Sequence, residues 1–205
     1  MTLRTILVAT NNQDKLTEIQ LMLSDTDWVV VDLSKFDPYP PPEENGLTLA
    51  DNALIKARAG FDKTGLMTIS DDTGLEIDAL GGAPGVQSAR YAGENATYQS
   101  NLHKVLNELN SLPDAIRTAR FRTVMALVGP DIEQCWEGIC EGKITNKPIA
   151  ENGFGYDPIF WSTDLGKTFS ESSDAEKNSV SHRGKALEKL IAYLNSSVLE
   201  VISNV

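Results

Sequence analysis

Hydrophobic positions along the chain follow two spacings. Short apolar or alternating runs predict strands, and stripes that recur every three or four residues predict helices. The predicted strands span residues 5–9, 28–33, 66–70, 119–128 and 132–142. The predicted helices contain residues 12–23, 48–61, 102–109 and 181–194. Strands interleaved with helices, with one long hairpin around Gly129-Pro130-Asp131, predict an α/β fold with a mixed sheet.

Local signals mark the ends of several of these elements. The prolines of the segment Pro38–Pro42 exclude regular structure after the second strand. Thr48–Asp51 matches a capping box at the start of the second helix, and Ser181 is expected to cap the last helix. The strand at residues 66–70 is expected to end at an acidic turn, Ser70–Gly74.

Composition and charge narrow the class of protein. A chain of 205 residues with 41% hydrophobic and 23% charged residues predicts one globular domain, 1–205, with room for two lobes. The net charge of −11 disfavours a nucleic-acid polymer as partner, because such binding depends on Lys and Arg neutralising phosphates. A small polyanion remains compatible with this charge, since local cations act over a Debye length of about 8 Å.

The cysteines and the N-terminal segment bear on the cellular compartment. Cys135 and Cys140 are five residues apart in a predicted strand and should face opposite sides, so we expect buried free thiols rather than a disulfide. The apolar run that ends at Ala9 is too short for a signal peptide or a membrane span. A cytoplasmic protein without a membrane partner is expected.

Two acidic pairs are candidates for metal binding. Glu43-Glu44 follows the proline-rich segment, and Asp71-Asp72 follows a predicted strand. Converging carboxylates repel by ~4 kcal/mol per pair at 4 Å and an effective dielectric of 20, and a divalent ion such as Mg²⁺ would reverse this. Surface acids exposed to solvent are the alternative. Neighbouring strand residues face opposite sides, so one of Asp71 and Asp72 should meet the ion, and periodicity does not choose between them.

The segment Thr10–Lys15 is a candidate phosphate site. It lies where a strand passes into a helix, so free backbone N–H groups and the positive end of the helix dipole are available there. Lys15 would add a positive charge. The alternative is a helix capped by Asn with a solvated Lys, because the glycines of a P-loop are missing.

Two further segments are candidates for recognising a base. Gly153–Phe160 combines glycines, aromatic rings and a carboxylate, and aromatic faces stack on bases. A structural turn with core aromatics is the alternative. Lys177, Ser181, His182 and Arg183 place cations near the start of the last helix, where the dipole disfavours them. This conflict indicates a ligand with an anionic or carbonyl group, although His182 could also be a helix-start residue with a structural partner.

Together these segments resemble the inosine triphosphate pyrophosphatase family, whose members are also called dITP/XTP pyrophosphatases. The matching segments are Thr10–Glu18, Glu43–Gly46 with Asn52 and Lys56, Ser70–Leu75, Gly81–Gly93, Gly153–Pro158 and Ser181–Leu187. The chain departs from the family pattern at Asn11, Thr73 and Gln87. The number and order of the matching segments make the resemblance specific.

The resemblance implies a fold, an activity and a site. It implies an elongated mixed β-sheet flanked by helices, with two lobes and the active site in the cleft between them, in a homodimer. It implies hydrolysis of ITP, dITP and XTP to monophosphate and pyrophosphate, with Asp72 as catalytic base and Glu44 and Asp72 as ligands of Mg²⁺, for which Mn²⁺ can substitute. The implied binding residues for the purine nucleotide are Thr10, Asn11, Asn12, Gln13, Asp14, Lys15, Thr73, Phe154, Gly155, Tyr156, Asp157, Lys177, His182 and Arg183.

Other functions are compatible with the same residues. One is a pyrophosphatase that removes a different modified nucleotide, such as a methylated pyrimidine nucleotide. A second is a nucleotide sensor without catalysis, and a third is an interaction scaffold, which would leave the base-pocket aromatics unexplained.

By the same resemblance, Asp71 is expected to have a structural role beside Asp72.

Overall fold

The computed structural model describes residues 4–38, 40–112, 114–150 and 152–196. The helices are α1 (Gln13–Leu23), α2 (Leu49–Thr64), α3 (Tyr98–Asn110), α4 (Asp174–Val180) and α5 (His182–Leu194). The strands are β1 (Arg4–Val8), β2 (Trp28–Asp32), β3 (Thr68–Ile77), β4 (Pro84–Gly85), β5 (Thr118–Gly129), β6 (Ile132–Ile144), β7 (Phe160–Ser162) and β8 (Lys167–Thr168).

The strands form one mixed sheet in the order β2-β1-β3-β5-β6-β7-β8, with β4 paired to β3. β1 runs parallel to β2 and to β3. The pairs β3–β4, β6–β7 and β7–β8 are antiparallel. Apolar side chains at alternating or consecutive positions let the central strands bury their faces against helices. The predicted mixed α/β sheet flanked by helices is confirmed.

The acidic segment is not a turn. Asp71 and Asp72 lie inside β3, which continues to Ile77. The residue types Asp, Thr and Gly predicted a turn, but β3 pairs with β4 immediately afterwards, with Leu75 opposite Gly85. A Cβ atom on Gly74 would lie 2.8 Å from the carbonyl oxygen of Gly85, so glycine permits this close approach. Tertiary pairing therefore keeps the segment extended.

The predicted caps are present. The Thr48 side chain accepts a hydrogen bond from the N–H of Asp51, and the Asp51 side chain accepts one from the N–H of Thr48. α2 runs beyond the predicted end near Phe61 to Thr64, because Gly65 terminates it in the left-handed conformation (φ +68°). The Ser181 hydroxyl accepts from the N–H of Gly184 at 3.0 Å and caps α5.

The chain forms two compact units. The first contains the described residues up to Asp72, together with Val124–Glu137 and the described residues from Lys185 onwards. Its core is formed by β1, β3, β5 and the apolar stripes of α1 and α5. The second unit contains Thr73–Thr123 and Gly138–Gly184, and its core surrounds α3 and the aromatic rings of Phe121, Phe160 and Phe169. The expectation of one domain, with a site in a cleft between lobes, stays a prediction.

The cysteines are both free, as expected, but only Cys140 is buried. Cys135, which lies on β6, is partly exposed, so the expectation that both thiols are buried is wrong for Cys135. Among the described residues, no helix has the length and apolar character needed to cross a membrane.

We predict that Thr48→Ala lowers the free energy of unfolding by about 1 kcal/mol, because the N–H of Asp51 loses its cap. Denaturant titration measures the change. Thr17→Ala is the control, since Thr17 is an exposed hydroxyl inside α1 and its removal should change stability by less than about 0.5 kcal/mol. Equal effects of the two substitutions would show that the cap contributes nothing specific.

Candidate functional site

Three elements of the first unit bring charged groups to the Asp71-Asp72 segment of β3. α1 supplies a lysine one turn from its start, α2 supplies an amide and a lysine, and the loop before α2 supplies a carboxylate. We call this set the carboxylate–lysine cluster, and its members are Lys15, Glu44, Asn52, Lys56, Asp71 and Asp72.

Asp71 and Asp72 have different partners, as their alternation along the strand requires. Asp71 forms an ion pair with Lys15, with 2.9 Å between Oδ2 and Nζ. The Asp71 side chain is 0% exposed and that of Lys15 is 16% exposed. Asp71 therefore fixes the position of a lysine ammonium at the start of α1, which is consistent with the structural role expected of it.

Asp72 lies near a second carboxylate. Its Oδ1 is 3.6 Å from Nζ of Lys56, and that nitrogen is 2.9 Å from Oε2 of Glu44. Asn52 donates from Nδ2 to Oδ2 of Asp72 at 3.1 Å. The structure thus brings Glu44 and Asp72, the two predicted metal ligands, to the same ammonium.

Burial changes the acidity of this cluster. Burial raises the pKa of the Asp72 carboxyl, and it outweighs the opposing effects of Lys56, Lys15 and the Asn52 hydrogen bond. The pKa of Lys56 is also raised: burial lowers it, but the charges of Asp72, Asp71 and Glu44 more than compensate. Asp72 is consequently a stronger base than an exposed aspartate, and Lys56 is held as a cation.

The donor set suits a hard divalent ion that shares its coordination with a ligand. Within the residues that the structure describes, no group of three or more His, Cys, Asp and Glu side chains could hold a metal by itself. Glu44 and Asp72 nevertheless converge on one cation, Lys56. Because Mg²⁺ is usually held by one or two carboxylates together with water and substrate phosphates, the residues present fit such an ion.

The segment Thr10–Lys15 combines features of both interpretations made from the sequence. Asn12 caps α1 by accepting from the N–H groups of Asp14 (3.0 Å) and Lys15 (3.1 Å), as the capped-helix alternative expected. The N–H of Asn12 is itself bonded to the Thr10 hydroxyl at 3.2 Å. Lys15, however, is paired with Asp71 rather than solvated. The exposed side chains of this segment are Asn11, Gln13 and Asp14.

A second group of predicted residues lies in the second unit. The Lys177 ammonium is 2.7 Å from Oδ2 of Asp157 and 4.4 Å from the ring centre of Phe154. Asp157 also accepts from the N–H of Phe154 at 3.0 Å. Lys177 was expected at the start of the last helix, but it lies in the last turn of α4, where the dipole favours a positive charge. The prediction of an electrostatic conflict between Lys177 and a helix dipole is therefore wrong.

His182 and Arg183 are held by neighbours that the sequence did not indicate. The His182 ring stacks on Phe121, with ring centres 4.5 Å apart and an interplanar angle of 15°. Arg183 is buried and donates from Nη2 to the Thr73 hydroxyl at 3.2 Å. That hydroxyl is also 2.6 Å from the hydroxyl of Thr123 on β5. Thr73 and Arg183, 110 residues apart in sequence, thus share one hydrogen-bonded group.

The Gly153–Phe160 segment is a turn with a partly buried face. Gly153 and Gly155 have positive φ values of +79° and +61°, which glycine adopts readily. Tyr156 is buried in the core, and its hydroxyl donates to the carbonyl oxygen of Ser88 at 2.8 Å. Burial raises the pKa of Tyr156. Its ring therefore has the structural role of the alternative interpretation, whereas Phe154 keeps one face near Lys177.

Three members of these groups were missed as site residues. From the sequence, Asn52 and Lys56 only match the family pattern and have no predicted role. Their spacing of four residues at the start of a capped helix nevertheless puts them on one face. That spacing was the available signal. Thr123 carried no signal, because a single Thr inside an apolar strand is ordinary β-strand composition.

Comparison with known proteins identifies relatives over nearly the whole chain. A family model described as the Ham1 family matches residues 6–193. A protein of Desulforamulus reducens named dITP/XTP pyrophosphatase is 45% identical over 93% of this chain and 95% of its own length. A solved HAM1 protein from Coxiella burnetii is 42% identical, with a TM-score of 0.85, and covers 93% of this chain and 98% of its own. The Ham1 protein of Staphylococcus aureus is 39% identical, with a TM-score of 0.82 and the same coverage.

We predict that the buried ion pair shows strong coupling. Asp71→Asn should lower the free energy of unfolding by roughly 3 kcal/mol, and Lys15→Met by more, because it leaves the buried carboxylate without its cation. The double variant should lose less than the sum of the two changes, with a coupling of about 1–3 kcal/mol. Denaturant unfolding measures all three, and Asp62→Asn on exposed α2 surface is the control. Additive losses would contradict a direct ion pair.

Proposed function

The chain belongs to the Ham1 family, and we propose on this basis that it hydrolyses dITP, XTP and ITP to the nucleoside monophosphate and pyrophosphate. The observation that carries the proposal is the convergence of the buried Asp72 and of Glu44 on one cationic position. The protein is a nucleoside triphosphate pyrophosphohydrolase and removes deaminated purines from the nucleotide pool. This agrees with the resemblance to inosine triphosphate pyrophosphatases inferred from the sequence.

The enzyme is a divalent-metal-dependent hydrolase, and Mg²⁺ is the proposed metal, with Mn²⁺ as a substitute. Glu44 and Asp72 would hold it, because both present carboxylate oxygens to the position that Lys56 now shares. When bound, such an ion supplies positive charge that neutralises the phosphate oxygens and the departing pyrophosphate. Two protein carboxylates would leave room for substrate phosphate and water around such an ion.

Asp72 is the proposed general base. It takes a proton from the water that attacks the α-phosphorus, an oxygen–phosphorus bond forms, and the bond from that phosphorus to the bridging oxygen breaks to release pyrophosphate. Burial raises the pKa of the Asp72 carboxyl. The hydrogen bond from Asn52 leaves Oδ1 of Asp72 facing the cationic position.

The proposed triphosphate contacts come from Thr10–Lys15 and from Thr73. Lys15 brings a positive charge whose position is set by the buried Asp71, so little side-chain entropy is lost when a phosphate binds beside it. The Thr10 hydroxyl is already oriented by the N–H of Asn12. The Thr73 hydroxyl is oriented by Arg183 and Thr123.

The proposed base contacts come from Phe154, Gly155, Tyr156, Asp157, Lys177, His182 and Arg183, with Tyr156 contributing its backbone because its ring is buried in the core. Phe154 offers an aromatic face, and Lys177 and Arg183 are cationic donors near its ring, at 4.4 and 5.8 Å. Donors aimed at a 6-oxo group would meet the 6-amino donor of adenine instead. Leaving buried polar groups unpaired can reduce turnover of the wrong base by as much as about 10⁴-fold.

The remaining parts of the proposal concern assembly and location. A homodimer, a single domain over residues 1–205 and a cytoplasmic location are proposed from the sequence and the family resemblance. The net charge of −11 supports a small nucleotide as the ligand rather than a nucleic-acid polymer or an anionic membrane surface.

We expect Mg²⁺-dependent release of pyrophosphate from XTP, ITP and dITP, with turnover of ATP and GTP lower by a factor of at least about 100. The assay measures pyrophosphate and orthophosphate separately for these nucleotides and for methylated pyrimidine triphosphates. EDTA should abolish turnover, and Mg²⁺ or Mn²⁺ should restore it. Orthophosphate as first product, or equal turnover of ATP, would contradict the assignment.

Asp72→Asn should reduce kcat by about 10²–10⁴-fold, because the amide cannot accept the water proton. Asp62→Asn is the matched control on exposed α2 surface and should retain activity. Full turnover in Asp72→Asn would remove Asp72 as the base. If the wild-type protein bound ITP without cleaving it, the protein would instead be a nucleotide sensor.

A further inference from the structure

The buried amide of Asn52 contacts both parts of the chain that carry the proposed metal-binding carboxylates. Its Nδ2 donates to Oδ2 of Asp72 at 3.1 Å. Its Oδ1 accepts from the backbone N–H of Gly46 at 2.8 Å, and Gly46 lies two residues after Glu44. Asn52 is only 1% exposed, so both bonds are shielded from water.

Chemistry determines the orientation of this amide. A backbone N–H can only donate, so Oδ1 must face Gly46. An ionised carboxylate can only accept, so Nδ2 must face Asp72. If the oxygen and nitrogen of Asn52 were exchanged, two donors would face each other at Gly46 and two acceptors would face each other at Asp72. Each end of the Asn52 amide therefore recognises one partner.

The loop that carries Glu44 is shaped to approach Asn52 closely. A Cβ atom on Gly46 would lie 2.5 Å from Cβ of Asp51 and 2.7 Å from Oδ1 of Asn52. Real side chains do not tolerate such distances, so any other residue would push the loop away from the amide. The Glu44 side chain is 37% exposed, so burial alone does not fix its position. The backbone contact between Gly46 and Asn52 therefore helps to define where the Glu44 carboxylate lies.

Asn52 lies in the capped first turn of α2. It follows the capping box formed by Thr48 and Asp51, and its own N–H donates to the carbonyl oxygen of Thr48 at 3.2 Å. One turn further on, Lys56 contacts Glu44 and Asp72. The first turns of α2 thus contact Asp72 through both a neutral amide and a cation, and Glu44 through the same cation.

We propose that Asn52 is a positioning residue for the hydrolysis reaction, which sets the Asp72 carboxylate and the Glu44 loop at the separation that a divalent metal requires. The inference rests on the proposed function, in which Glu44 and Asp72 hold that metal. Residues that orient metal ligands in this way typically change metal affinity or activity by 10- to 100-fold when replaced.

The test uses Asn52→Leu, which keeps the number and branching of the side-chain heavy atoms and removes both hydrogen bonds. We expect kcat to fall roughly 10- to 100-fold and the Kd for Mn²⁺ to rise by a similar factor. KM for XTP at saturating metal should stay within about threefold, because the residues proposed to bind triphosphate and base are unchanged. Mn²⁺ binding is measured without turnover, by the paramagnetic resonance of free Mn²⁺ in the presence of the α,β-methylene analogue of ITP.

Asn101→Leu is the matched control. Asn101 is 3% exposed and, like Asn52, uses both ends of its amide, although both of its partners are backbone groups: it accepts from the N–H of Ala92 and donates to the carbonyl of Ala89. The Asn101→Leu variant should lose about as much stability as Asn52→Leu but keep the Mn²⁺ affinity of the wild-type protein. If Asn52→Leu and Asn101→Leu bind Mn²⁺ equally well, the inference about Asn52 is wrong.

Gly46→Ala provides a second route, because it disturbs the same contact and leaves Asn52 intact. If Asn52→Leu fails to fold, as judged by circular dichroism, Gly46→Ala decides: weaker Mn²⁺ binding supports the proposal, and wild-type binding overturns it. Wild-type protein that does not release pyrophosphate from XTP would count against the proposed function itself, whereas active wild type with unaffected variants would count against Asn52 alone.

Discussion

Two adjacent carboxylates, Asp71 and Asp72, are buried within a continuous strand, and the arrangement of the first unit follows from the need to stabilise them. Removing an ionised carboxylate from water costs several kcal/mol unless cations and donors replace the lost hydration. β3 cannot supply these groups, so α1 brings Lys15 to one face and α2 brings Asn52 and Lys56 to Asp72. The positions at which both helices begin are therefore tied to the charges of the strand beside them.

The same constraint accounts for the chemistry of the cluster. The Asp71 charge is balanced within the protein by Lys15, whereas the Asp72 carboxyl has a raised pKa because burial outweighs its partners. Two neighbouring residues of one type thus acquire different properties, one structural and one basic. Lys56 stands where an external cation would also be stabilised, since it is shared by Glu44 and Asp72.

Several elements were predictable from the sequence because their signals are local. The capping box at Thr48, the hairpin turn at Asp131 and the Ser181 cap depend on residues within a few positions of one another. The apolar stripes of α1, α3 and α5 followed from periodicity in the same way. The turn expected at Ser70–Gly74 was wrong because the partners that keep it extended, Lys15, Asn52 and Gly85, come from elsewhere in the chain.

By itself, the sequence determined the fold class, the family and the candidate residues, because periodicity and the order of short motifs survive without coordinates. Spacing did not rank Asp71 against Asp72, and that choice came from the family resemblance. Nor did the sequence indicate that Thr73, Thr123 and Arg183 share a hydrogen-bonded group. It also gave no role to Asn52, whose two partners lie 6 and 20 residues away. Only the tertiary structure decided these points, because burial and charge pairing depend on distances between segments that are remote in sequence.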